Sequence, residues 1–175
     1  MKPTKLIQRF LIPGPLVTVL AWWKFRCKIS PRAEVELTRH LRIGRKTQIG
    51  SFTKLKATRG PLEMGSEVHV GAGCFISAGE AGVRIGDYCM ISPRVSIVGT
   101  SYRYDRLDIP ILHQERVSSG IEIGDNVWLG TGAVVMDGAS VGEGVIVTPN
   151  SVVSGRVPEN SIVQGNPAKV IFTRR

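Results

Sequence analysis

The chain has 175 residues and a net charge of +9, with 20 glycines, 6% aromatics and three cysteines. That length makes one domain, or one domain with an appended segment. Charge is uneven: residues 1–60 hold fourteen Lys or Arg against two acids, and residues 61–175 hold nine against twelve. The basic third suits an anionic membrane surface, glycan or nucleotide phosphate. Nucleic acid is not expected, because no stacking aromatics or binding module accompany the charge.

Residues 1–28 differ from the rest. Lys2, Lys5 and Arg9 lead into FLIPGPLVTVLAWW, and Lys24, Arg26 and Lys28 follow. The apolar run is short for a bilayer span, and Pro13-Gly14-Pro15 interrupts it. With no small-residue cleavage site after it, a signal peptide is not expected. Two readings fit. In one, a short helix packs its apolar face, with Trp22 and Trp23, over the open end of the following domain. In the other, those Trp side chains lie against a membrane with Lys and Arg at the head groups.

From Ile43 the chain takes up a period of six, clearest over residues 123–157. There the blocks open on Ile123, Leu129, Val135, Val141, Val147 and Val153, with Val127, Ala133, Ala139, Val145, Ser151 and Val157 at fifth positions and Gly124, Gly130 and Gly142 at second positions. Six matches neither the 3.6 of a helix nor the two of a flat strand. It predicts a coil of short strands whose first and fifth side chains point into a narrow interior, with Gly easing the bends. Upstream, Ile43, Met64 and Ile85 recur every 21 residues, as do Ile49, Val70 and Ile91, and Leu55, Ile76 and Ile97. Three blocks therefore make one triangular turn, and three extra residues bulge at one corner.

Between Ile97 and Ile123 that corner extrudes a long loop, 103–121, and such excursions tend to be functional. About five turns are expected in all. Residues 159–175 leave the rhythm and are expected to close the C-terminal end. Cys74 and Cys89 fall on fifth positions, which predicts buried, reduced thiols and a cytoplasmic protein.

These residues resemble the hexapeptide-repeat acyltransferases, and most closely their sugar O-acetyltransferase branch. The segments that carry the resemblance are IGDNVWLG at 123–130, VQGNPAKVI at 163–171 and RYDRLDIPI at 103–111; with the repeats, it covers about residues 29–172. The resemblance implies an all-β chain, a left-handed parallel β-helix with an N-terminal helical segment and a C-terminal cap. It implies a homotrimer, with acetyl-CoA lying in clefts between prisms, and transfer of an acetyl group to a hydroxyl of a sugar or polysaccharide precursor. By position, Trp128 would line the reactive end of the cleft, with backbone N–H groups of Gly130 and Thr131 near the thioester. Thr148, Pro149 and the turn from Ser154 to Arg156 would flank the pantetheine arm. Asn166, Pro167, Ala168 and Lys169 would meet the adenosine-phosphate end.

In that branch a His before the loop removes the acceptor proton, in a stretch reading H-R-Y-D. Here Tyr102 occupies that place, followed by Arg103-Tyr104-Asp105. A phenol is a poor base near neutrality unless a cation such as Arg103 or Arg106 assists it. His113, inside the loop, could substitute. His69 is expected to point outward at a different corner, where a partner subunit could receive it, and His40 is expected on the surface or cap. The three make no zinc constellation, and no metal is expected. The alternative is a trimeric binding or scaffold protein that has lost its base.

Overall fold

The computed structural model describes residues 14–175; Lys2, Lys5 and Arg9 lie outside the described residues. From Lys28 the chain winds as a parallel β-helix with three faces. Face A stacks Lys28–Ile29, Gln48–Ile49, His69–Val70, Met90–Ile91, Trp128–Leu129, Ile146–Val147 and Ser161–Gly165. Face B stacks Glu34–Val35, Lys54–Lys56, Phe75–Ser77, Ser96–Val98, Val134–Met136 and Val152–Val153. Face C stacks Leu41–Ile43, Leu62–Met64, Val83–Ile85, Ile121–Ile123, Ser140–Val141 and Arg156–Val157.

The interior is built from the six-residue pattern. The block-opening residues Ile49, Val70, Ile91, Leu129 and Val147 stand in register on face A, and the fifth-position residues Val127, Ala133, Ala139 and Val145 are buried beside them. Thr47 and Thr53 are buried as well, and their hydroxyls donate to the carbonyls of Gly65 and Gly71, both at 2.8 Å. Among the described residues the prism has six full coils and a seventh strand on face A, against about five expected. The added coil begins at Lys28: Ile29 pairs with Ile49 and Val35 with Leu55 at a spacing of 20, one short of the regular 21, which hides this coil from a strict repeat. The bulges leave the B–C corner every time, after Lys54–Lys56 and after Phe75–Ser77, and the long excursion leaves the same corner after Ser96–Val98.

Three local expectations need correction. The glycines at second positions do not bend the chain. At Gly130 a Cβ would lie 2.6 Å from the Pro149 nitrogen, and at Gly142 2.5 Å from the Glu159 nitrogen, so close approach of the next coil excludes a side chain. Val157 is not a fifth position. It stands opposite Val141 on face C, because the last B–C corner contains only Ser154 and Gly155. The C-terminal segment does not cover the whole end of the prism: Ala168–Thr173 folds back antiparallel on Ser161–Gly165 and extends face A alone.

At the other end, Gly14–Phe25 is a helix whose second residue is Pro15, where a missing N–H costs nothing. Its Thr18 hydroxyl donates to the Ile29 carbonyl at 2.9 Å, which ties it to the first rung. Trp22 and Trp23, which one of the two readings packs over the coil and the other lays against a membrane, are 65% and 80% exposed, on the same outward stripe as Leu16 and Val19. The buried thiols are as expected. Cys27, Cys74 and Cys89 are buried and form no disulfide, and burial pushes Cys27 and Cys89 up to about 11.

Candidate active site

Most of the cofactor candidates fall on one edge of the prism, where face A turns into face B. Trp128 stands on face A, 42% exposed, and its indole N–H donates to Ser92 Oγ at 3.0 Å. Gly130 and Thr131 form the turn that follows. The Gly130 N–H donates to the Val147 carbonyl at 2.8 Å, so it belongs to the ladder between coils and does not face a thioester as expected. Thr131 differs: its N–H finds no protein acceptor among the described residues, and its carbonyl accepts from the Asn150 N–H at 3.0 Å.

One coil further on, Thr148 and Pro149 occupy the same edge. Thr148 Oγ1 shares a 2.9 Å hydrogen bond with Ser151 Oγ, and that oxygen also accepts the Gly165 N–H at 3.0 Å. This buried hydroxyl pair sets the start of the terminal hairpin, in which Asn166 and Pro167 make the turn, Gly165 pairs with Ala168 and Gln164 with Lys169. Lys169 is exposed, with its ammonium available to a phosphate. Ser154 and Arg156 do not join this line. They flank the B–C corner, with Arg156 opposite Ser140 on face C.

The excursion from that B–C corner carries Tyr102. It is not structureless: Ser101–Tyr102 pairs antiparallel with Arg116–Val117, and Ile111–His113 forms a single 3-10 turn. Its base is fixed by Asp137, whose carboxylate accepts the N–H groups of Ser119 and Gly120 at 2.8–3.0 Å, and by Ser118, whose hydroxyl donates to the Gly99 carbonyl at 2.8 Å. Inside it, the buried Gln114 side chain donates to the Arg106 carbonyl at 2.7 Å and accepts the Arg106 N–H at 3.3 Å.

The cation beside the Tyr102 phenol is Arg116, not Arg103 or Arg106. Arg116 Nε and Nη2 donate to the phenolic oxygen at 2.8 and 2.5 Å. Arg103 is engaged with Asp105 at 3.1 Å, and Arg106 with Asp108; each arginine holds its aspartate below the usual carboxylate range. With both acceptor positions of the phenol taken by Arg116, its O–H remains as a donor. Nothing in the spacing of the sequence marks Arg116, Ser92, Gln114 or Asp137 for these tasks.

His113 is exposed at the end of the 3-10 turn. His69 projects outward from face A, on a different side of the prism from the B–C corner that carries the loop, and only Met90 separates it from Trp128. His40 is half-buried at the entry to face C and takes a 3.4 Å hydrogen bond from Arg39 Nε. Among the described residues no group of three or more His, Cys, Asp or Glu could hold a metal ion. No helix among them is long and apolar enough to cross a membrane.

The coil corresponds to a known class. Residues 120–155 match the family model of the bacterial transferase hexapeptide (six repeats). The Escherichia coli protein WbbJ, named as a lipopolysaccharide biosynthesis O-acetyl transferase, is 30% identical over 85% of this chain and 76% of its own length. The Mycobacterium tuberculosis protein Rv3034c, named as an acetyltransferase, is 32% identical over 77% of this chain, which spans 45% of that longer protein. In fold, the chain is similar to AntD, an N-acyltransferase from Bacillus cereus solved with dTDP and coenzyme A, at a TM-score of 0.78 and 23% identity over 90% of this chain and 88% of AntD. The chain belongs to the hexapeptide-repeat transferases, and the parallel β-helix is the fold of its solved relatives.

Proposed function

We propose that the protein is an acetyl-CoA-dependent O-acetyltransferase acting on a hydroxyl of a sugar or surface-polysaccharide precursor. The observation that carries this reading is the continuous edge from Trp128 through Gly130, Thr131, Thr148 and Pro149 to the hairpin turn at Asn166, Pro167, Ala168 and Lys169. Along it, the thioester end of the arm would meet Trp128 and the Thr131 N–H, and the phosphates would meet the Lys169 ammonium. A preorganised N–H is the group needed to stabilise an oxyanion forming on the thioester carbonyl. Tyr102, held by Arg116, would serve as a second donor rather than as a base.

The sites would form between neighbouring prisms of a homotrimer. Ser154, Arg156 and the Tyr102 hairpin lie at the B–C corner, so one prism cannot bring them to its own A–B edge, whereas a cyclic neighbour can. The hairpin also carries an uncovered apolar surface, with Leu107 at 99% and Leu112 at 74% exposure, as a segment that docks on another subunit would. Sedimentation equilibrium giving three times the chain mass, together with release of CoA thiol from acetyl-CoA when glycosides are added, is the expected result. A trimer that binds acetyl-CoA and releases no thiol with a broad acceptor panel would instead be the binding or scaffold protein.

For location, the reading is a cytoplasmic protein that touches the membrane face peripherally. Leu16, Val19, Trp22 and Trp23 form an outward apolar stripe, and exposed Arg26 and Lys28 follow it. An interfacial helix with cations beside its aromatic residues binds anionic lipid in this way.

A further inference from the structure

The edge occupied by the CoA arm in the reading above leaves a neighbouring groove unused. It measures about 490 Å³ and runs along face A and the adjoining corner, from Met90, Ser92 and Pro93 down to Lys28 and Ser30. That size and a mixed lining are those of a small-molecule site. Hydroxyls of Ser30 and Ser92, the Gln48 amide, the His69 imidazole and the Lys28 ammonium line it beside the exposed Met90 side chain, while Ile49 and Val70 turn their side chains into the prism interior. A sugar has the same mixture: hydroxyls around its rim and an apolar ring face.

The groove abuts the reactive end of the edge. Ser92, which lines it, accepts the hydrogen bond from the Trp128 indole at 3.0 Å. His69 lies beside Met90, and Met90 beside Trp128, so His69 is two strand spacings from Trp128, about 10 Å. We propose that this groove holds the acceptor sugar and that His69 is the general base that takes the proton from its reacting hydroxyl. The inference rests on the acetyl-transfer reading.

Distance and chemistry both favour it. A hydroxyl about 3 Å from the imidazole and about 3–3.5 Å from the thioester carbon spans roughly 6 Å, which puts that carbon over Met90 with the CoA arm passing Trp128. Of the other candidates, the Tyr102 oxygen already accepts two N–H groups from Arg116, and His113 stands on the loop outside the groove lining. In the step, the hydroxyl proton passes to the imidazole while the oxygen forms a bond to the carbonyl carbon. The tetrahedral centre collapses, the C–S bond breaks, and the CoA thiolate leaves and takes the proton from the imidazolium. The histidine ends neutral, and the products are the acetyl ester and CoA. Lys28 is the other titratable side chain in the groove, and the neighbours of His69 along the face, Gln48 and Met90, are uncharged.

The test compares wild type, His69→Gln and Gln48→Trp in the full chain, with acetyl-CoA and a panel of p-nitrophenyl galactoside, glucoside and N-acetylglucosaminide. His69→Gln should lower kcat/KM by about 10²–10⁴-fold, keep acetyl-CoA affinity, and lose the limb of the pH–rate profile that rises as imidazole deprotonates. Gln48→Trp fills the groove and should raise the acceptor KM at least tenfold, with acetyl-CoA affinity unchanged. An active wild type whose His69→Gln variant retains more than a tenth of kcat/KM and the same pH profile overturns the base assignment alone. An active wild type indifferent to Gln48→Trp overturns the groove. A wild type that binds acetyl-CoA but acetylates no acceptor overturns the enzyme reading, and this inference with it.

Discussion

Replacing Gly130 with Ala tests whether coil-on-coil contact, rather than bending, demands glycine at the second position of a block. The added Cβ would lie 2.6 Å from the Pro149 nitrogen and 2.8 Å from both Pro149 Cδ and the Thr148 carbonyl carbon. These are backbone and ring atoms with no rotamer to change, so relief requires the two coils to separate by roughly 1 Å at this edge. Overpacking of that kind costs about 1–3 kcal/mol. The same movement stretches the 2.8 Å bond from the Gly130 N–H to the Val147 carbonyl, which adds about 1 kcal/mol. At about 2–4 °C per kcal/mol for a chain of this size, Tm should fall by roughly 5–15 °C. Gly155→Ala is the control, because a Cβ there has no heavy atom within 4 Å. It should change stability by about 0.5 kcal/mol or less. Calorimetric melts at one fixed protein concentration separate the two variants. Equal melting temperatures for them would refute the contact argument.

Other outcomes follow from the same geometry. Tyr102→Phe removes the oxygen that accepts both Arg116 donors; acetyl transfer should fall about 10–100-fold while acetyl-CoA affinity, measured calorimetrically, stays unchanged. Asp137→Ala frees the Ser119 and Gly120 N–H groups, and amide exchange of the 101–117 hairpin should accelerate well before that of the coil strands. For pH, the folded state holds Cys27 and Cys89 protonated up to about 11 against an ordinary value of 9.0. Their contribution is therefore complete below pH 9 and is lost as pH rises toward 11; Tm should decline across that window, less steeply in a Cys27→Ala, Cys89→Ala double variant. Trp22→Ala with Trp23→Ala should abolish cosedimentation with vesicles rich in anionic lipid, while sparing acetyl transfer to a soluble glycoside.

Much of the coil was legible because its signal is local and periodic. A one-residue change of register would turn Ile91 or Leu129 out of the interior, so burial itself keeps the six-residue rhythm in the sequence. The added coil at Lys28 was hidden by a spacing of 20, and the shortened last corner at Ser154-Gly155 by the accident that Val157 also fits a fifth position. The site was less legible. Trp128, Thr131 and the terminal hairpin could be marked by resemblance, but the use of the Gly130 N–H within the ladder, and of Arg116 on the Tyr102 phenol, depends on residues brought together from distant parts of the chain.

By itself, then, the sequence determined a coil of short strands with one corner that bulges, an excursion from that corner, and a tyrosine, Tyr102, at its start. Each follows from chain-local periodicity or from the residue present at a given place. Only the tertiary structure decided which side chains share a face or an edge. Stacking at about 4.8 Å per coil brings His69, Met90 and Trp128 side by side although 21 and 38 residues separate the successive pairs. The N-terminal helix is tied to the first rung through Thr18, and Trp22 and Trp23 remain exposed on it.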